Sequence, residues 1–147
     1  MKKVLTVLLM FLGLSLNSQI IEVSIQVWSN YSHPQSMTLH TAVELDSLTT
    51  IKTVKGNTTY TFNFFENEIV MVDYKNITKK FKIIKTYPTK SVLNVDAQIE
   101  DRFYNFVVSE NESDKTSLII QKFKPENGKS VGIFSNDATV TFKEKHK

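Results

Sequence analysis

Residues 58–87 read TTYTFNFFENEIVMVDYKNITKKFKIIKTY, three β-forming runs separated by two short polar breaks. Tyr60, Phe62 and Phe64 share a face of the first run, Val70, Val72 and Tyr74 a face of the second, and Phe81 and Ile83 a face of the third. Each set recurs at the period of two that a half-buried strand requires. The breaks at Glu66-Asn67 and Asn76-Ile77-Thr78 are too short for a crossover, so consecutive strands pair antiparallel. This phase makes Tyr60, Phe62, Phe64, Val70, Val72, Phe81 and Ile83 the expected core of the stretch.

The same alternation extends in both directions. Upstream, residues 20–31 place Val23, Ile25, Val27 and Tyr31 on one face and Glu22, Ser24, Gln26 and Trp28 on the other. A polar break with Pro34 follows, and Met37, Leu39, Thr41 and Val43 resume the pattern. Residues 42–54 are ambiguous: Leu45, Leu48 and Ile51 have helical spacing, while Thr49, Thr50 and Thr53 favour a strand. Gly56 and Asn57 then suggest a turn into the meander. Downstream, strands are expected over residues 91–96, 102–109, 117–123, 131–134 and 138–142, separated by turn-forming Pro, Asn, Asp and Gly. One pattern repeats: Tyr60-x-Phe62-x-Phe64-x-Glu66-Asn67-Glu68 returns as Tyr104-x-Phe106-x-Val108-x-Glu110-Asn111-Glu112. Two strands leading into acidic turns from the same few residue types account for it, with an old duplication as the alternative.

The first 18 residues, MKKVLTVLLMFLGLSLNS, carry Lys2 and Lys3, an apolar run over residues 4–14 and a small, polar end. That is the plan of a secretory signal peptide, and the run is well short of the roughly 20 residues a membrane-spanning helix needs. Cleavage near Ser18 leaves a single β domain over residues 19–147, a periplasmic or extracellular protein without a transmembrane segment. Losing two lysines lowers the formal charge from +3 to +1. No cysteine occurs in the 147 residues, which removes disulfides and thiolate metal sites and leaves the domain to be held by its core.

About eight to ten short antiparallel strands with brief connections indicate an all-β meander closing into a small barrel, with a β-sandwich as the alternative. In size, strand count and export the outline resembles the lipocalin-type and fatty-acid-binding barrels. Lipocalins carry Gly-x-Trp on the first strand, where this chain has Gln26-Val27-Trp28. The resemblance implies that Arg102 could stack on Trp28 as a lipocalin arginine does. No family residue is carried over.

Motifs for chemistry are scarce. His33 and His40 lie seven apart across a proline-containing break and His146 is near the end, which fits no helical metal pair. There is no G-x-S-x-G, and the four glycines build no phosphate-binding loop. Asp96, Glu100 and Asp101, and again Glu110, Glu112 and Asp114, are expected as solvated turn carboxylates. No catalytic residue, metal site or cofactor is therefore expected. Asn30, Asn57, Asn76 and Asn111 each open an N-x-S/T sequon at an expected break.

Charge is distributed unevenly. Residues 74–90 hold six lysines and no acid, and residues 96–114 hold six acids and one basic residue, Arg102. Lysines on exposed strand faces block edge pairing, and Lys79, Lys80, Lys82 and Lys85 also form a candidate surface patch for an anionic envelope component or a protein partner. Nucleic acid is not an expected partner.

Two functions follow as expectations. A barrel of about eight strands either fills with side chains or holds one ligand. Tyr60, Phe62, Phe64, Tyr74, Phe81 and Phe106 are the interior candidates for contacting a small apolar or amphipathic molecule. The alternative is an interaction module, an envelope-assembly factor, inhibitor or adhesin component, acting through its charged outer surface.

Overall fold

The computed structural model describes residues 19–33, 49–87, 92–110, 115–123 and 130–144. They form nine strands: β1 (Gln19–His33), β2 (Thr49–Asn63), β3 (Glu68–Val72), β4 (Thr78–Tyr87), β5 (Val92–Ile99), β6 (Arg102–Glu110), β7 (Thr116–Lys122), β8 (Ser130–Ser135) and β9 (Thr139–Glu144). Each of β1 to β7 pairs antiparallel with the next, and β8 returns to β1, so eight strands make a closed barrel. Closure removes the unpaired edges that a sandwich would leave.

The ninth strand continues the eighth. Ser29 pairs with Phe134 and Ser24 with Thr139, five residues along on each strand, so β8 and β9 follow β1 in a single register. Asn136, Asp137 and Ala138 interrupt that line. There Ser135 Oγ lies 2.6 Å from both the Val27 carbonyl and the Asp137 carboxylate, donating to one at a time.

The meander at residues 58–87 forms as its pattern demands, as β2, β3 and β4. The turn between β3 and β4 is fastened by Asp73, whose carboxylate accepts from the Lys75 and Ile77 amides at 2.8 and 2.9 Å. Asn76 there has φ 62° and Asn67 in the preceding turn φ 56°, the left-handed region that asparagine tolerates. In β3, however, the phase is opposite to the expected one. Ile69 and Met71 are buried while Val70 and Val72 are half-buried. Both parities of Ile69-Val70-Met71-Val72 are apolar, so periodicity alone cannot choose a face. Pairing decides, because Phe62 stands opposite Ile69 and Tyr60 opposite Met71.

A second correction concerns Gly56 and Asn57. They lie inside β2 at a register shift opposite Gln26, not in a turn. Past this irregularity β1 changes face: Gln26 and Val27 are successively exposed, and Trp28, expected on the polar side, packs against the core. Gly56 has a specific reason to lack a side chain, since a Cβ there would stand 2.5 Å from the Tyr74 ring. The strand expected at residues 37–43 lies outside the described residues.

The interior is organised around Phe106. Its ring meets Phe81 at 5.3 Å and both Tyr60 and Phe62 at 5.9 Å, all in edge-on geometry, and Phe62 stacks on Phe64 at 6.3 Å. Such pairs contribute about 0.5–1.5 kcal/mol each beyond their buried area. Ile21, Val23, Ile25, Val95, Val108 and Leu118 complete this plug. The repeated sequence pattern falls on β2 and β6, opposite strands in the ring of eight, so its Tyr and Phe positions face one another across the interior.

Candidate functional site, an open cavity in the barrel

Above the plug the described residues do not fill the barrel. A cavity of about 460 Å³ opens at the end that carries the β3–β4 and β5–β6 turns. Its wall is Tyr60, Met71, Phe81, Tyr104, Ile120 and Ile133, each brought inward by strand alternation. Asn30, Lys79 and Lys122 supply polar groups, and Tyr31, Val131 and Gly132 close the β1–β8 side. The volume is within the roughly 300–1,000 Å³ of small-molecule sites, and a mainly apolar wall with a few polar groups is their usual make-up.

Each lysine is placed by the register of its strand. Lys79 pairs with Met71 and shares its phase with Phe81 and Ile83, so it points to the interior side at the top of β4. Lys122 pairs with Tyr104 and shares its phase with Leu118 and Ile120. Gly132 keeps the β7–β8 wall close: a Cβ on it would overlap the Ile120 carbonyl oxygen and crowd the Tyr31 ring at 3.0 Å. Tyr31 is fully buried edge-on to Phe134, and its hydroxyl, like the Trp28 indole N–H, is buried without a hydrogen-bond partner among the described residues. Burial pushes the Tyr31 and Tyr60 hydroxyls well above the ordinary tyrosine range, with Asp73 adding to the effect at Tyr60.

Of the six interior candidates, Tyr60 and Phe81 line the cavity, while Phe62, Phe64 and Phe106 pack in the core. Tyr74 is not interior; it is 47% exposed in the β3–β4 turn with its ring over Gly56. The apolar phase expected for Val70, Val72 and Tyr74 belongs to the outer side of β3, which explains the misplacement. The four-lysine patch also divides. Lys80 and Lys82 project outward and Lys79 inward. Lys85 joins the outer face because a register shift at Ile84 resets the phase. Its Nζ lies 4.8 Å from the Tyr87 ring centroid.

Several cavity residues were missed in the sequence. Tyr104 was signalled by the repeat of the Tyr60 pattern, and Lys122 by its phase with Ile120. Asn30 had no such signal, because the irregularity at Gln26 reverses the face of β1. Nor is Asn30 at a break: it lies in β1, as Asn57 does in β2, whereas Asn76 does sit in a turn.

The expected turn carboxylates are corrected at Asp96 and at Glu110, which ends β6 half-buried with its Oε2 buried; Glu112 and Asp114 lie outside the described residues. Asp96 is buried on β5, accepting from the Tyr87 hydroxyl at 2.6 Å and from Asn105 Nδ2 at 2.9 Å. Asn105 Nδ2 also reaches Asn94 Oδ1 at 2.7 Å, so the outward faces of β5 and β6 carry a polar network. The bond to Asp96 pushes the Tyr87 hydroxyl up to about 12. Glu100 and Asp101 are exposed in the β5–β6 turn, and Arg102 reaches Glu100 at 3.6 Å in place of the stack on Trp28. His33 ends β1, and His40 and His146 lie outside the described residues. No protein-family model, curated protein or solved structure matches this chain, so the geometry of the cavity is the ground on which its function is read.

Proposed function

We propose that this chain is an exported, non-catalytic β-barrel that binds a small apolar or amphipathic molecule in the upper half of its interior. The observation that carries the reading is the 460 Å³ cavity, floored by the Phe106 ring cluster and open at one end. A barrel of eight strands has just enough interior to be filled or to hold one ligand, and here half is packed and half is open. Export rests on the leader-like first 18 residues; the barrel is built entirely from residues after the expected cleavage point. Binding is favoured over catalysis by the lining, whose described residues include no histidine, serine or carboxylate.

The outward lysines support the alternative of a surface interaction module less well. Lys82 stands opposite Glu68 in the register and Lys85 opposite Asp96 with its Nζ over the Tyr87 ring, so an acid on the neighbouring strand faces two of the three. The test is native mass spectrometry of the protein purified without detergent, followed by displacement of a fluorescent fatty-chain probe. A copurifying small molecule, or saturable probe binding abolished by Ile120→Trp, is the expected result. No copurifying molecule and no saturable binding would reject the reading.

A further inference from the structure

Resting on that reading, we infer that the open end of the barrel docks on an anionic lipid bilayer and that the cavity takes up its molecule from that surface. Tyr74 and Ile77 in the β3–β4 turn, Phe103 at the start of β6 and Phe123 just after β7 are 37–50% exposed, and all four belong to the end at which the cavity opens. Phe103 and Phe123 face each other across the rim with ring centroids 6.0 Å apart, and the Phe123 amide donates to the Phe103 carbonyl at 3.1 Å. Each is next in sequence to a residue of the cavity wall, Tyr104 or Lys122, so strand alternation sends the wall residue inward and the ring outward at the mouth. Large apolar side chains gathered in water at one place mark an interaction surface.

Two further features fit this rim to a bilayer. The first is the backbone of the β3–β4 turn. The amides of Asp73 and Asn76 donate to the Ile77 and Asp73 carbonyls at 3.0 and 2.9 Å, and those of Lys75 and Ile77 donate to the Asp73 carboxylate. A turn that satisfies its own donors can enter the interfacial layer without carrying unpaired amides into it. The second feature is charge. Lys52 and Lys55 are exposed where β2 runs past the end of β3, with Lys75 in the turn and Lys79 and Lys80 at the start of β4. Of the described acids at this end, Asp73 is engaged by the turn and Glu100 by Arg102, so the excess is positive. Anionic headgroups attract such lysines, whose stems lie along apolar surface, as Lys75 lies over the Tyr74 ring with Nζ 5.6 Å from its centroid. Apolar insertion and headgroup attraction together hold a protein at a membrane surface. A molecule that dissolves poorly in water then passes from bilayer to cavity without crossing the solvent.

The experiment floats the protein with vesicles of phosphatidylcholine alone or mixed with phosphatidylglycerol, and separately titrates dansyl-undecanoate, a fluorescent fatty-chain probe, in vesicle-free buffer. Wild type is compared with Ile77→Ser/Phe103→Ser, with Lys55→Glu/Lys75→Glu, and with Ile84→Ser, an exposed apolar residue toward the other end of β4. Wild type and Ile84→Ser are expected to bind the anionic vesicles about tenfold more tightly than the neutral ones, and less tightly as salt is raised. Both double variants should lose most of that binding and draw the probe from loaded vesicles more slowly, while keeping the affinity for free probe. A thermal midpoint checks that each is folded; should the serine pair unfold, the lysine pair, exposed at both positions, decides by itself. No binding of wild type to the anionic vesicles, or an equal loss in Ile84→Ser, would overturn this inference and leave the cavity reading standing as long as the free probe binds. Self-association of wild type that the rim substitutions abolish, without vesicle binding, would assign the rim to a second copy and overturn it as well. Failure of the free probe to bind would overturn the cavity reading itself, and this inference with it.

Discussion

The two halves of the barrel interior are built from the same alternating strands and yet end differently. In the lower half, large side chains from β1, β2, β5, β6 and β7 converge on Phe106 and leave no room. In the upper half the inward positions nearest the rim on β4 and β7 are lysines, Lys79 and Lys122, whose stems lie along a wall otherwise made by Tyr60, Met71, Phe81, Tyr104, Ile120 and Ile133. The comparison separates a packed half from an open one within one ring of strands.

The strongest challenge to this division is Phe106→Ala. It removes the central ring of the plug and should cost about 3–5 kcal/mol, read as the shift of a denaturant midpoint. Ile120→Ala, one strand away but beside the open cavity, should fall near the lower end of its range, about 2 kcal/mol, because the space vacated joins one that already exists. Similar losses at both positions would mean that the halves are not distinct.

How far the sequence reveals this division depends on the strand. In β4, Lys79 shares the phase of Phe81 and Ile83 and yet was expected on the surface with Lys80, Lys82 and Lys85, because a lysine at a strand end reads as solvated whichever face it occupies. In β3 the run Ile69-Val70-Met71-Val72 is apolar on both faces, and only its partners fix which face is buried. In β1 a correct period gave a wrong face for Trp28 and Asn30, since the two-residue irregularity at Gly56-Asn57 belongs to the neighbouring strand. Closure of the ring was legible in the brevity of the connections. The cavity was not, because its volume depends on how side chains from opposite strands meet.

A control off both halves is the outer network at Asp96. Tyr87→Phe deletes one hydrogen bond to a carboxylate and should cost about 1 kcal/mol, discounted for the partial exposure of the pair. The pH dependence has a definite sign. The folded chain holds the Tyr87 proton past pH 10, where an unfolded tyrosine releases it, so this contribution is complete below about pH 10 and is lost as pH rises toward 12. Tyr31 and Tyr60, shifted in the same direction by burial, steepen the alkaline decline. Denaturant midpoints recorded from neutral to alkaline pH should fall in wild type above that point, and less steeply in Tyr87→Phe.

The smallest effect on stability belongs to Lys79. Lys79→Gln should change it by no more than about 0.5 kcal/mol, as substitutions away from the packed core do.

The most direct test of the division is backbone-amide NMR of the intact barrel titrated with dodecanoate. Saturable shifts are predicted at Asn30, Tyr60, Phe81, Tyr104 and Ile120, with Phe62, Val95 and Val108 in the plug and the outward Lys80, Lys82 and Lys85 unmoved. Shifts centred on the outward lysines, or no saturable shifts at all, would contradict the account.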